Sequence, residues 1–191
     1  MPRVTTAFAA ALALFMPIGR PLLVGLTPAV GIGAGLLTTQ TAYAQNATDL
    51  FNSGLDKAVS GNLKGAIADW TKAIELYPRY ARAYYNRGLA KRKLDDFKGA
   101  IADYTKAIEI NPNYARAYNN RGNSKHYLKD YPGAISDYTK AIEIDPNDSD
   151  YYYNRGNSRG ELGDLKGACT DWRKAAKLGD MDAAEFVRDK C

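Results

Sequence analysis

A block of sequence returns every 34 residues. Tyr85-Asn86-Arg87-Gly88 recurs as Asn119-Asn120-Arg121-Gly122 and as Tyr153-Asn154-Arg155-Gly156. The stretch Ala66 to Glu75 recurs as Ala100 to Glu109 and Ala134 to Glu143, with a degenerate copy from Ala168 to Lys177. A fixed period of this size marks a stack of supersecondary units, each burying its apolar face against the next.

The residues within one period specify a helical hairpin. In each second half, apolar residues recur at spacings of three and four, as in Ala100, Tyr104, Ala107 and Ile108. That spacing places one apolar stripe along an α-helix. Asn62, Asp96, Asp130 and Asp164 precede these stripes and suit their N-caps. Pro78, Pro112 and Pro146 follow and stop them. The pattern predicts helix pairs over 47–60 and 63–76, 81–94 and 97–110, 115–128 and 131–144, and 149–162 and 165–177. Asp180 to Lys190 reads as a last helix covering the open edge of the fourth pair.

A small residue stands at Gly54, Gly88, Gly122 and Gly156, at Ala66, Ala100, Ala134 and Ala168, and at Ala73, Ala107, Ala141 and Ala175. A large aromatic stands at Trp70, Tyr104, Tyr138 and Trp172. On these residues the chain resembles the tetratricopeptide repeat family over about residues 47–182. The resemblance implies an all-α, right-handed superhelical solenoid of four repeats (47–80, 81–114, 115–148 and 149–182) with a C-terminal capping helix ending at 191. It implies that the first helix of each pair lines a concave groove that takes a protein or an extended peptide. The groove positions here are Arg82, Tyr85, Asn86, Leu89 and Arg92, then Arg116, Asn119, Asn120, Asn123 and His126, then Asp150, Tyr153, Asn154 and Asn157. An asparagine amide donates and accepts at once, so the asparagines suit a peptide backbone. Arg82 and Arg116 suit a carboxylate, and Tyr85 and Tyr153 suit apolar side chains. Some relatives hold a C-terminal carboxylate with a fixed Lys, Asn and Arg set. This chain matches only the Asn86 and Arg116 positions of that set, with Phe51 and Leu55 at others, and that activity is not carried over.

One departure from the family concerns charge. Arg87, Arg121 and Arg155 occupy a position that is usually apolar, and the first copy has Ser53 there. Each second helix carries an aspartate before its aromatic: Asp69, Asp103, Asp137 and Asp171. Two pairings are open. Asp69–Arg87, Asp103–Arg121 and Asp137–Arg155 would join neighbouring repeats. Arg87–Asp103, Arg121–Asp137 and Arg155–Asp171 would act within one. The missing arginine in the first copy fits the former, since no repeat precedes it.

Residues 1–44 have a different composition, with no acid, two arginines and apolar stretches over 7–16 and 22–37. They end in Ala42-Tyr43-Ala44. A basic start, an apolar middle and a small-x-small end make up a secretory signal, with cleavage expected after Ala44. The alternative is an uncleaved anchor over 22–37, which is short for a bilayer span. An exported, periplasmic or secreted, chain with two cysteines, Cys169 and Cys191, is expected to join them and pin the last helix onto repeat four.

The formal charge is +5 for the whole chain. It falls to about +3 without the first 44 residues, and acids and bases alternate, so no nucleic-acid partner is expected. With one histidine and no nucleophile–base pair, neither catalysis, a metal site nor a cofactor is expected. The reading is a non-catalytic scaffold or adaptor outside the cytoplasm, with no membrane contact after signal cleavage. The alternative is an assembly factor that forms homo-oligomers through its repeat ends.

Overall fold

The computed structural model describes residues 32–191, with side chains described from Gln45 onward. Among the described residues there are nine helices and no strand. They are α1 (Ile32–Val59), α2 (Leu63–Leu76), α3 (Ala81–Lys93), α4 (Phe97–Ile110), α5 (Ala115–Tyr127), α6 (Tyr131–Ile144), α7 (Ser149–Glu161), α8 (Leu165–Lys177) and α9 (Met181–Lys190). The boundaries from α2 to α9 fall within a residue or so of those expected from the period.

The exception is α1, which is already helical at Ile32, the first described residue, rather than from near 47. No proline lies between Pro28 and Pro78, so nothing in the chain stops the helix earlier. Its backbone runs through Ala42-Tyr43-Ala44. The expected signal, residues 1–44, and most of the alternative anchor over 22–37 lie outside the described residues or their described side chains. Among the described residues, no helix is long and apolar enough to cross a membrane.

Each even helix starts the same way. Asn62, Asp96, Asp130 and Asp164 accept a hydrogen bond from the amide of the glycine three residues on, at 2.9–3.0 Å. Asp180 caps α9 through the Ala183 amide. Each helix packs on its neighbours in sequence, and α5 also touches α3 and α7. The result is a two-layer solenoid, with odd helices side by side and even helices behind them. Ala66, Ala73, Ala100, Ala107, Ala134, Ala141, Ala168 and Ala175 are fully buried and set the close approach of the helices. Trp70, Tyr104, Tyr138 and Trp172 fill the space between layers.

At the C-terminal edge, α9 lays Ala183, Phe186 and Val187 over the cluster of Tyr152, Cys169 and Trp172. Cys169 and Cys191 are joined, with Cα atoms 5.6 Å apart.

Candidate functional site

The aspartate–arginine pairs come first, because they hold the odd helices in place. Arg87, Arg121 and Arg155 each grip the aspartate of their own repeat with two bonds. In repeat three, Arg121 Nε lies 2.9 Å from Asp137 Oδ2 and Nη2 lies 2.7 Å from Oδ1; the other two repeats match it. The inter-repeat aspartate pairing suggested by the arginine-free first copy is therefore wrong. The first copy also buries its aspartate, and Ser53 and Lys57 serve Asp69 instead, each at 2.6 Å. Burial raises the Asp69 pKa, but the hydrogen bonds from Lys57 and Ser53 outweigh it and leave the carboxyl below its ordinary value.

Contact between repeats uses the third guanidinium nitrogen. Arg87, Arg121 and Arg155 Nη1 donate to Thr71, Thr105 and Thr139 of the preceding repeat at 3.0–3.1 Å. Those threonine hydroxyls donate in turn to Ile67, Ile101 and Ile135 carbonyls. One arginine thus ties three helices together. Lys91, Lys125 and Arg159, one turn further on, add a second cation to Asp103, Asp137 and Asp171.

Beside this framework, α3, α5 and α7 together line a cleft of about 460 Å³. Its walls include Arg92, Asn123, His126, Lys129, Asn154 and Asn157, with Tyr131 and Tyr138 from α6. A second, apolar pocket of about 380 Å³ lies between α1 and α3, bounded by Leu55, Leu63, Trp70, Asn86 and Leu89.

Only part of the sequence-predicted groove set reaches these places; Arg82, Tyr85, Arg116, Asn119, Asn120, Asp150 and Tyr153 line neither. Asn123, Asn154 and Asn157 reach the cleft, and Asn86 and Leu89 reach the apolar pocket. Most of the asparagines already have partners inside the molecule. Tyr138 donates to Asn123 at 2.8 Å, and Trp172 Nε1 to Asn157 at 2.9 Å. Asn154 donates to the buried Asn119 at 3.1 Å, and Asn120 to the Tyr85 hydroxyl at 3.1 Å. Asn86 donates to the Arg82 carbonyl. These amides position aromatic rings and join neighbouring odd helices. Tyr85 packs on Tyr114 and Tyr104, and Tyr153 on Phe186, so both are partly taken by the fold. Arg82 stands over the Phe51 ring, and Arg116 is exposed.

Burial raises the Tyr85, Tyr104 and Tyr138 hydroxyl pKa values above the ordinary phenol value. They remain neutral donors at physiological pH. His126 Nδ1 lies 2.8 Å from Ser158 Oγ, which is fully buried. Its ring stands edge-on to Tyr131. Sequence reasoning missed Tyr127, Lys129 and Tyr131, which lie at the end of α5, in the turn after it and at the start of α6 rather than at a groove-facing position of an odd helix. Among the described residues, no group of three or more His, Cys, Asp or Glu is placed to hold a metal ion.

Comparison with known families matches the profile described as Tetratricopeptide repeat at residues 81–114 and 115–148. A related TPR repeat profile matches 58–95, and a further Tetratricopeptide repeat profile matches 137–170. Together they run from residue 58 to residue 170, more than half of the chain. The chain belongs to the tetratricopeptide repeat family.

Solved tetratricopeptide structures share its architecture. The crystal structure of MamA is 26% identical with a TM-score of 0.69, over 81% of this chain and 98% of that one. The first tetratricopeptide domain of Spaghetti (RPAP3), bound to the HSP90 peptide SRMEEVD, is 27% identical with a TM-score of 0.62, over 63% and 95%. The Arabidopsis OM64 tetratricopeptide domain is 25% identical with a TM-score of 0.61, over 62% and 98%. Comparison with curated proteins gives no match.

Proposed function

We propose that this tetratricopeptide protein is a non-catalytic scaffold that holds a peptide or partner protein in its groove, outside the cytoplasm. The observation that carries the reading is the cleft to which three successive odd helices bring Arg92, then Asn123 and His126, then Asn154 and Asn157. A cleft shared by successive repeats suits an extended chain, which presents polar backbone at a regular interval. A related fold with a bound peptide supports this. The signal-like residues 1–44 and the joined cysteines support the location. The covered edge of repeat four favours a groove ligand over end-to-end assembly, since α9 occupies the surface on which another repeat would stack.

The test is site-specific photo-crosslinking in the native compartment, with the crosslinker at Asn154 in the cleft or at Lys140 on the outer face. A discrete adduct from position 154 and none from 140 is expected. Adducts from 140 alone would refute the groove. The intact mass of the same sample should begin at Gln45; a mass that includes residues 1–44 would refute signal cleavage.

A further inference from the structure

Each turn from an odd helix to the even helix after it falls on the same edge of the solenoid, because the repeats stack in one sense. Among the described residues, the large apolar side chains left exposed gather there. Val59, Leu94, Tyr127, Leu128, Leu162 and Leu165 lie on this edge, while Tyr77 and Met181 lie elsewhere. Contacts between repeats make the edge continuous. The Tyr127 ring of repeat three stacks on Phe97 of repeat two at 4.9 Å, and the Tyr131 hydroxyl donates to Glu161 of repeat four at 3.2 Å.

Two rows of residues run along the edge at the 34-residue period. The first is Leu94, Leu128 and Leu162, the C-cap residues of α3, α5 and α7, which are 43%, 42% and 52% exposed. Repeat one has Ser60 at that position, so the leucine row is confined to repeats two to four and its midpoint is repeat three. The second row, one residue earlier, is Val59, Lys93, Tyr127 and Glu161. Its charge changes sign about the same midpoint. Repeat two has a cation, repeat three an exposed aromatic, and repeat four a carboxylate.

We propose that a second copy of the chain docks on this edge, in a side-by-side dimer whose two-fold axis passes through the turn of repeat three. A two-fold axis sets one patch against itself, so the patch must be self-complementary. An axis at that turn lays repeat two of one copy along repeat four of the other. Leu94 then meets the partner's Leu162, and Lys93 meets the partner's Glu161, and each contact occurs twice. Tyr127 and Leu128 meet their own copies at the axis. An axis between repeats two and three would instead oppose Val59 to Glu161 and Lys93 to Tyr127, and leave both charges without a partner. A contiguous apolar row rimmed by charge marks an association surface. The leucines supply the area removed from water, and the charge pairs set the register. The contact is lateral, so the cap that α9 places over repeat four leaves it open. The pairing does not depend on what the groove holds. Tyr127 also lines the cleft, so two clefts meet near the axis; their joint use, unlike the pairing, rests on the groove reading above.

The test is sedimentation velocity of the chain purified from its native compartment, without added ligand, over a range of concentrations. A monomer–dimer equilibrium is expected. Lys93→Glu or Glu161→Lys alone should raise the dissociation constant about ten-fold, since each reversal turns two attractions into repulsions. The two reversals together should restore most of the affinity. Lys93 and Glu161 stand two repeats apart in one chain, with α5 between them, so the rescue reports contact between copies rather than a change of fold. A chain that stays monomeric at every concentration would overturn the proposal. So would a dimer that the single reversals do not weaken, or that the double reversal does not restore. No ligand is present in the measurement, so each of these failures leaves the groove reading standing.

Discussion

Gly122 has no room for a side chain. A Cβ there would stand 2.7 Å from Tyr138 Cε1, inside the ring's contact distance. The ring is buried between layers and cannot turn aside. Gly122→Ala should destabilise the fold by about 1–3 kcal/mol through overpacking, read from urea unfolding. A different backbone demand applies at the turn after each odd helix. Gly61, Asp95, Lys129 and Gly163 all have positive φ, near 60–82°. Glycine adopts that conformation freely, and lysine does not. Lys129→Gly should therefore raise the unfolding free energy by roughly 1 kcal/mol, seen as a higher melting temperature.

Between helices, the buried aspartates set the register of the hairpins. The Asp137 side chain is 4% exposed and faces Arg121 and Lys125. Removing it strands a guanidinium that is itself mostly buried. Asp137→Ala should cost about 3 kcal/mol, and joint replacement of Arg121 and Asp137 by leucine should recover much of that loss. Chemical denaturation of the two variants tests this; equal losses in the single and double variants would refute it. Asp69 adds a pH dependence. Its folded pKa lies below the ordinary carboxylate value, which the unfolded chain keeps. Its contribution is therefore present above that value and is lost as pH falls through the lower folded one. In acid titrations, Asp69→Asn should flatten the fall in stability below about pH 4, where the unfolded carboxylate takes up a proton while the native one is still ionised.

At the scale of the molecule, a solenoid is as stable as its ends allow, because terminal repeats have only one neighbour. Here the C-terminal end is tied by the bond between Cys169 and Cys191, which closes a loop of 22 residues. Chain-entropy arguments make such a link worth about 3 kcal/mol. Reduction should lower the unfolding free energy by about that amount. It should also increase hydrogen exchange first in α9 and α8, with α3 to α6 little changed. Uniform loss of protection across all helices would contradict this. The long α1 gives the other end no comparable tie among the described residues.

The repeat made most of this fold legible before any coordinates. The 34-residue period, the small and large residues on one stripe, the aspartate caps and the prolines are local or periodic signals, and each acts through contacts a few residues away. The helix bounds follow from them. Three things did not follow. The helical backbone upstream of residue 47 was hidden because no local signal marks it. The pairing of Arg121 with Asp137 rather than Asp103 depends on which carboxylate the packed layers bring within 3 Å, and both lie at plausible sequence separations. The groove was legible as a set of helix positions. Which amides were already bonded to rings behind them was decided only by the assembled layers. Periodicity determined what each residue faces; tertiary packing decided whether the group it faces has a hydrogen bond to give, because that depends on distances between helices that no single repeat contains.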